Sequence, residues 1–155
     1  MVAELKEEIK QSKPFSSLHQ EATLSIQRTA NLLGDEFETL LKPYDITRTQ
    51  YNVLRILRGA EPTGLCRNEI RERLINKMPD ATRLLDRMET AGLVTRSREE
   101  DDRRMVRTHI TARGKQIVDE LDQPVVEHHH DQLGHLSHEE LETLIRILSK
   151  ARNPD

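Results

Sequence analysis

The chain has 155 residues and a formal net charge of -3; charged residues make up 33% of it, aromatic residues make up 3%, and tryptophan is absent. That balance favours a single domain of amphipathic helices over a β-sandwich or a fibre. The lone cysteine excludes an internal disulfide, no apolar run approaches the ~18 residues of a membrane span, and the charged start MVAELKEEIKQ argues against a signal peptide, so the sequence favours a cytoplasmic protein with no membrane partner.

The N-terminal part predicts a short arm followed by one long helix. The stretch VAELKEEIK carries apolar residues at helical spacing and predicts the arm. From Leu18 to Tyr44, apolar residues recur in steps of three and four, which predicts one amphipathic helix with Pro14 and Pro43 near its ends. A helix this long with one apolar stripe needs a partner surface along its whole length.

Two shorter helices follow. Thr47 and Gln50 stand at capping-box spacing, which predicts a helix start, and the stretch GAEPTGL predicts the end of that helix. The next helix is predicted from about Arg67 to Ile75, and its residues Ile70 and Leu74 are expected to be buried.

The helix after these has two chemically different faces. It is predicted to begin at Pro79, with Asp80 beside it, and to end at about Ala91, where Gly92 supplies a left-handed cap. Its apolar side carries Ala81, Leu84, Leu85 and Met88. Its outer side carries Thr82, Arg83, Asp86, Arg87 and Thr90. This outer side is either a solvated face, with Asp86 paired to Arg83, or a surface for a polyanion.

A change to period two after this helix predicts a β-hairpin. LVTRSR is the first strand, residues 99–104 are the turn, and MVRTHIT is the return strand. Asp102 stands two residues before Arg104, close enough to orient its guanidinium through bidentate hydrogen bonds. The remaining acids of the turn are interpreted as solvated: Glu99, Glu100 and Asp101.

Two helices close the chain. Thr111 leads into a long helix whose apolar residues are Ile117, Leu121, Val125 and Leu133. Ser137 and Glu140 form a capping box at the start of the last helix. The predicted order is therefore α-α-α-α-β-β-α-α, a mainly α fold with a small β-hairpin.

The charge distribution and the helix faces point to nucleic acid. Residues 47–111 hold 14 Lys+Arg against 10 Asp+Glu, whereas the rest of the chain holds 10 against 17. Two short helices joined by a tight turn are typical of a helix-turn-helix, and an arginine-bearing hairpin after them suits an adjacent minor groove. An enzyme is disfavoured because the sequence has no Gly-rich phosphate loop, nucleophile elbow or HExxH motif. A winged helix that binds protein is the alternative, although the outward arginines argue against it.

The stretch MPDATRLLDRMETAGLVTRSREEDDRRMVRTHITARG resembles the recognition helix and wing of the MarR family, the multiple-antibiotic-resistance-type transcriptional regulators. The helix pattern is matched by Thr82-Arg83, Leu84-Leu85, Asp86-Arg87 and Gly92-Leu93-Val94. The wing pattern is matched by Asp102, Arg104, Ile110, Thr111 and Gly114, with Ile110 in place of the more usual leucine. The resemblance covers roughly residues 15 to 150.

This resemblance implies a homodimer that binds double-stranded DNA at a pseudo-palindromic operator, usually as a repressor. Residues 1–46 and 112–155 would then be dimerisation helices, and residues 47–111 the winged helix-turn-helix lobe. The DNA-binding residues would be Asp80, Thr82, Arg83 and Arg87 on the recognition helix and Asp102, Arg103 and Arg104 in the wing. The resemblance also implies a small aromatic or anionic effector, held in a crevice between the dimer helices and the lobe. His19 and Arg55 lie on elements that could line this crevice, and the alternative is that both are ordinary surface residues. No cofactor is expected.

The histidines and the cysteine suggest further roles. His128, His135 and His138 are spaced so that they could place metal ligands on one helix face, which leaves a metal-responsive regulator as an alternative. A polar helix end and a protonation-sensitive interface are the other interpretations of these histidines. Cys66 is interpreted as a small packing residue, because peroxide-sensing relatives carry their cysteine near the start of the first long helix.

Overall fold

A computed structural model describes residues 4–77 and 80–154. Its helices are α1 (Leu5–Glu8), α2 (Leu18–Leu41), α3 (Arg48–Gly59), α4 (Arg67–Arg73), α5 (Ala81–Thr90), α6 (Ala112–Leu133) and α7 (His138–Arg152). Its strands are β1 (Leu65–Cys66), β2 (Val94–Arg98) and β3 (Val106–Ile110). The mainly α fold with a β-hairpin wing is confirmed, with one strand more than the sequence predicted.

The helix starts that the sequence predicted most clearly are confirmed by their hydrogen bonds. Thr47 Oγ1 accepts from the backbone N–H of Gln50 at 3.2 Å, and the Gln50 side chain accepts from the N–H of Thr47 at 3.0 Å. Ser137 and Glu140 make the same reciprocal pair. Each pair satisfies backbone donors that the first turn of a helix leaves without a partner.

Helix α2 is shorter than predicted. It ends at Leu41, and a 3₁₀ turn, Lys42–Tyr44, follows it. Pro43 has no N–H for a bond to the preceding helical turn, which explains why the α-helix stops before it. Asp45 then adopts a left-handed conformation with φ of 54° and redirects the chain toward α3.

Helix α5 also differs from the prediction at its start. It begins at Ala81, and Asp80 is its N-cap, with Oδ1 accepting from the backbone N–H of Arg83 at 3.0 Å. Pro79, the predicted first helical residue, lies outside the described residues. At the other end Gly92 has φ of +74°, as the predicted left-handed cap requires.

The sheet has three antiparallel strands in the order β1-β3-β2. The predicted hairpin of β2 and β3 is confirmed, and it pairs Val94 with Ile110 at one end and Arg98 with Val106 at the other. Strand β1 was missed because its two residues follow a segment that reads as a turn. Gly64, with φ of +70°, brings this short strand beside β3, where a Cβ would lie only 2.7 Å from the Thr108 carbonyl oxygen.

The core lies between α3, α4, α5 and the sheet, and α6 and the end of α2 close it. Its fully buried side chains include Leu41, Leu54, Leu57, Ile70, Leu85, Met88, Val94, Val118 and Leu121. Ile70 and Leu74 are buried, as predicted. Because Leu41 and Leu121 come from the terminal helices, those helices hold the central lobe in place as well as extending beyond it. The division at residues 46 and 111 stays a prediction.

None of the helices within residues 4–77 and 80–154 combines the length and the apolar character that crossing a membrane requires.

Candidate nucleic-acid interface

Helix α5 divides its residues between the core and the surface as the sequence predicted. Its inner side is buried: Ala81, Leu84, Leu85 and Met88. Thr82, Arg83 and Arg87 are exposed on the other side. Since four buried side chains fix the rotation of the helix about its axis, the outer side chains have a defined direction. The helix therefore presents one polar, basic face.

Asp86, which lies between the two arginines of this face, is held by β2. Its carboxylate accepts from Arg96 Nη2 at 2.5 Å, and the same nitrogen donates to Glu89 at 2.9 Å. The hydrogen bond to Arg96 lowers the pKa of Glu89, and the hydrogen bond to Glu89 raises the pKa of Arg96. The alternative pairing of Asp86 with Arg83 is therefore not the arrangement in the structure.

Arg83 and Arg87 are left with their charges uncompensated by this arrangement. Among the residues that the structure describes, neither guanidinium forms an ion pair with a carboxylate. A helix face with two such cations suits a polyanion, because neither arginine has to break an ion pair before the anion binds. Asp80 lies at the same helix end, but one of its carboxylate oxygens already caps the helix.

The predicted role of Asp102 is wrong in its geometry. Asp102 Oδ1 accepts from the backbone N–H of Arg104 at 3.0 Å, and the Asp102 carbonyl accepts from the N–H of Met105 at 2.9 Å. In residues 4–77 and 80–154 no ion pair joins Asp102 to the Arg104 guanidinium. In a tight turn the backbone N–H two residues ahead is the nearest donor to an aspartate side chain, which explains the preference. Asp102 shapes the turn, and Arg103 and Arg104 are exposed at its tip.

Glu99, interpreted from the sequence as solvated, has a partner as well. Its carboxylate accepts from Arg107 Nε, which lies on β3, and this bond raises the pKa of Arg107. Arg107 also donates to the carbonyl of Gly64 at 3.3 Å, just before β1. The Glu99–Arg107 pair thus links the start of the wing turn to β3 and to the segment just before β1. Glu100 and Asp101 are exposed, as expected.

A cavity of about 400 Å³ lies between α4, α5 and the wing. Arginines from three elements line it: Arg67 at the start of α4, Arg96 on β2 and Arg104 at the wing tip. The sequence analysis missed Arg67 and Arg96. Arg96 could have been found, since it stands two residues after the buried Val94 and so shares its face of the strand. For Arg67 we see no local signal, because its partner is 15 residues away.

The histidine candidates do not come together. The described part of the chain contains no group of three His, Cys, Asp or Glu side chains that could hold a metal ion. His128 lies against Phe37, with ring centroids 5.7 Å apart, while His138 lies 3.2 Å from Glu142 on α7. His135 is exposed. The two residues considered for the effector crevice lie on the surface: His19 is exposed near the start of α2, and Arg55 is exposed on α3.

Sequence and structure comparisons agree with the winged helix-turn-helix geometry. The MarR family model matches residues 46–106. The crystal structure of a MarR transcription factor from Planctomyces limnophilus is 38% identical, with 88% of this chain and 98% of that chain covered and a TM-score of 0.66. The structure of a mutant MarR from E. coli complexed with operator DNA is 28% identical, with 88% and 99% covered and a TM-score of 0.77.

A sequence relative has the same character. The HTH-type transcriptional regulator TtmR of Methylorubrum extorquens (strain PA1) is 32% identical over 106 residues, which are 68% of this chain and 53% of TtmR. The match thus spans about half the length of TtmR. These relatives are named transcriptional regulators and not enzymes. With 38% identity over nearly all of a solved MarR transcription factor, and with that family's model on its central lobe, this chain belongs to the MarR family.

Proposed function

We propose that the protein is a transcriptional repressor that binds a pseudo-palindromic operator in double-stranded DNA as a homodimer and releases it when a small aromatic or anionic effector binds. The observation that carries the proposal is the outer face of α5. Asp86 is bound to Arg96, and Arg83 and Arg87 are exposed without an acidic partner among the described residues. The major groove admits a helix of this kind, and arginine is the side chain best suited to guanine there.

The wing supplies the second contact. Arg103 and Arg104 lie at an exposed tip that three-stranded pairing and the Glu99–Arg107 bond hold against the lobe. With α5 in a major groove, this tip would lie along the adjacent minor groove, where a narrow groove concentrates negative potential. Thr82, Arg83 and Arg87 would therefore contact base edges and phosphates. Asp80 is the weakest of the proposed base readers, because it caps the helix.

The proposal of a homodimer rests on the terminal helices. Large apolar side chains on them are exposed in one chain: Leu18, Ile26, Leu32, Val126, Leu144, Ile145 and Ile147. Packing against a second copy would remove them from water, and a two-fold axis would bring the two α5 helices to half-sites about 10 base pairs apart. The structure of a relative complexed with operator DNA, at 28% identity, supports binding to an operator.

The proposed effector would act on the angle between lobe and terminal helices. An open cleft of about 540 Å³ lies beside α3, and Arg55, Arg58 and Arg73 line it. Arg58 is already bound by Asp119 and Asp122, whereas Arg55 and Arg73 form no ion pair among the described residues, so their charges suit an anionic molecule. To release DNA, such a molecule needs a coupling free energy of only about 1–3 kcal/mol between the two states.

The test is selection of bound duplexes from a random DNA pool, followed by titration of the selected site with salt and with small aromatic acids. A dimer that contacts 6–10 phosphates should lose roughly 10³–10⁵ in affinity between about 50 and 200 mM salt. An enriched inverted repeat supports the proposal. Failure to bind any duplex would overturn it, and binding that no aromatic acid weakens would remove the effector from it.

A further inference from the structure

A hydrogen bond joins the start of α4 to the outer face of α5. Arg67 Nη1 donates to Thr82 Oγ1 at 2.8 Å. Thr82 belongs to the exposed face that the proposed function places in the major groove, whereas Arg67 was not among the residues predicted to bind DNA. Since both side chains are exposed, water competes with this bond until another surface covers it.

The bond fixes how the Thr82 hydroxyl can be used. A hydroxyl has one proton and two acceptor positions, whereas a guanidinium has donors only. Because Arg67 occupies one acceptor position, the hydroxyl proton is free to point outward as a donor. Major-groove acceptors are O6 and N7 of guanine, O4 of thymine and N7 of adenine, whereas cytosine presents an amino group. Arg67 thus leaves the Thr82 hydroxyl one proton and one acceptor position, both in fixed directions, and where the proton points at the base edge these acceptors are favoured over the amino group of cytosine.

Arg67 also brings a charge to the cavity between α4, α5 and the wing. No carboxylate forms an ion pair with Arg67 within residues 4–77 and 80–154, whereas Arg96 in the same cavity is bound by two carboxylates. A DNA strand that runs from a major groove holding α5 to a minor groove holding the wing passes this cavity. The charge of Arg67 thus lies where a backbone phosphate would pass, beside Arg104 of the wing tip.

We infer that Arg67 is a specificity-determining positioning residue: it orients the Thr82 hydroxyl toward one base pair of each half-site and contributes one phosphate contact of its own. This inference rests on the proposed function, because it assumes that α5 enters the major groove. It assigns two separable effects to one side chain. Orientation depends on the planar fork of arginine, whereas the phosphate contact depends only on the positive charge.

The experiment uses the duplex selected from the random pool and its single-base variants. Dissociation constants are measured for the wild type, Arg67→Met, Arg67→Lys, Thr82→Val and the double variant Arg67→Met/Thr82→Val. Thr82→Val should reduce discrimination at one base pair of each half-site by roughly fivefold. Arg67→Met should reduce discrimination at that same base pair, and the double variant should discriminate there no worse than Thr82→Val alone.

The salt dependence separates the two effects of Arg67. Log affinity falls with log salt, and Arg67→Met should make this slope less steep by about one unit per half-site. Arg67→Lys should keep the slope of the wild type and still lose base discrimination. Arg71→Met is the matched control, since it removes the same charge from the exposed surface of α4 one turn later. It should leave base discrimination unchanged. Thermal unfolding of every variant checks that the lobe stays folded.

Three results would overturn the inference while the proposed function stands: a wild type that selects an operator but whose Arg67→Met variant discriminates normally, penalties of Arg67→Met and Thr82→Val that add, or a Thr82→Val variant without effect. A purely structural role for the bond would lower the unfolding midpoint and leave base discrimination intact, which also contradicts the inference. A wild type that selects no duplex at all refutes the proposed function instead.

Discussion

At the tip of the wing, Asp102 has a structural role in the turn and, in the part of the chain that the structure describes, no ion pair with the Arg104 guanidinium. Asp102 Oδ1 accepts from the backbone N–H of Arg104, so its task is to fold the turn that exposes Arg103 and Arg104. We expect an acceptor oxygen to be sufficient for this task, without the negative charge. A carboxylate beside a DNA-binding arginine otherwise opposes the approach of phosphate.

The first prediction distinguishes a role of Asp102 in forming the turn from a role in orienting the Arg104 guanidinium. Asp102→Asn keeps an acceptor oxygen, and it should bind the operator as tightly as the wild type or slightly more tightly. Arg104→Ala should weaken operator binding by about 1–3 kcal/mol. Asp102→Ala loses the acceptor, and it should weaken binding by no more than Arg104→Ala does. Fluorescence anisotropy with the selected operator measures the dissociation constants of the wild type and of Asp102→Asn, Asp102→Ala and Arg104→Ala. If Asp102→Asn binds as weakly as Asp102→Ala, the carboxylate charge is required and the turn explanation is wrong.

At the scale of elements, the contact between α5 and β2 decides which charges the outer face presents. Arg96 holds both Asp86 and Glu89. Without Arg96, the Asp86 carboxylate would be free to attract Arg83 or Arg87, its neighbours on the same face. The strand thus controls the charge of a helix face that it does not itself form.

The second prediction tests this control. Arg96→Met should weaken operator binding by about 1 kcal/mol or more, because Asp86 then competes with phosphate for the arginines of α5. Asp86→Asn should raise operator affinity in both backgrounds, and the gain should be larger in the Arg96→Met variant than in the wild type. Binding isotherms for the four proteins give this difference as a double-mutant cycle. Equal gains in the two backgrounds would show that Asp86 does not compete.

The elements also show why the sequence predicted some features and missed others. Capping boxes at Thr47 and Ser137 and the left-handed Gly92 depend on residues no more than three apart, so a local pattern contains all the information. Strand β1 and the Arg67–Thr82 bond depend on partners that are brought together only by the fold. The outer face of α5 was predictable, because helical spacing alone separates it from the buried side. The partner of Asp86, Arg96 on β2, was not predictable, because only the fold brings the strand beside this face.

An ion-pair cluster joins α3 of the lobe to α6. Arg58 donates to Asp119 at 2.8 Å and to both carboxylate oxygens of Asp122, at 2.7 and 2.8 Å. The hydrogen bond from Arg58 lowers the pKa of Asp122 below its ordinary value of 3.8. A carboxyl group whose pKa is lower in the folded state adds stability above its unfolded pKa, and it loses that contribution as the pH falls through the folded value.

The third prediction follows from this sign. Asp122→Asn should be less stable than the wild type near neutral pH, and the difference should shrink as the pH falls below about 4. Urea unfolding from about pH 6 to pH 3 measures it. Asp101→Asn is the control, because Asp101 is exposed on the wing and has no ion-pair partner among the described residues, so its curve should parallel that of the wild type. A difference that stays constant over this range would mean that the bond does not depend on the charge of Asp122.

For the whole molecule, charge and apolar surface are distributed in opposite ways. The central residues 47–111 carry the excess of Lys and Arg, while the ends carry the excess of Asp and Glu. The large apolar side chains that remain exposed lie mainly on the terminal helices. The exposed apolar side chains of the ends favour contact with a second copy of the chain, whereas the acidic excess of the ends disfavours contact with DNA and leaves the basic centre as the part suited to a polyanion. This distribution is the physical basis for proposing a homodimer.

The last prediction tests that homodimer through α7. Ile145 is 66% exposed and Ile147 53% exposed in one chain, so neither contributes much to the stability of the lobe. At a two-fold interface each substitution acts twice, and an isoleucine that becomes fully buried contributes about 1.5–3 kcal/mol. Ile145→Lys should therefore raise the dimer dissociation constant at least about tenfold in sedimentation velocity and weaken binding to the full inverted repeat more than to a single half-site. Ile75→Lys is the control, since Ile75 is 82% exposed in the loop after α4, away from the terminal helices, and should leave the dimer intact. A wild type that sediments as a monomer at micromolar concentration, or an Ile145→Lys variant that dimerises normally, would contradict the assignment of α7 to the interface.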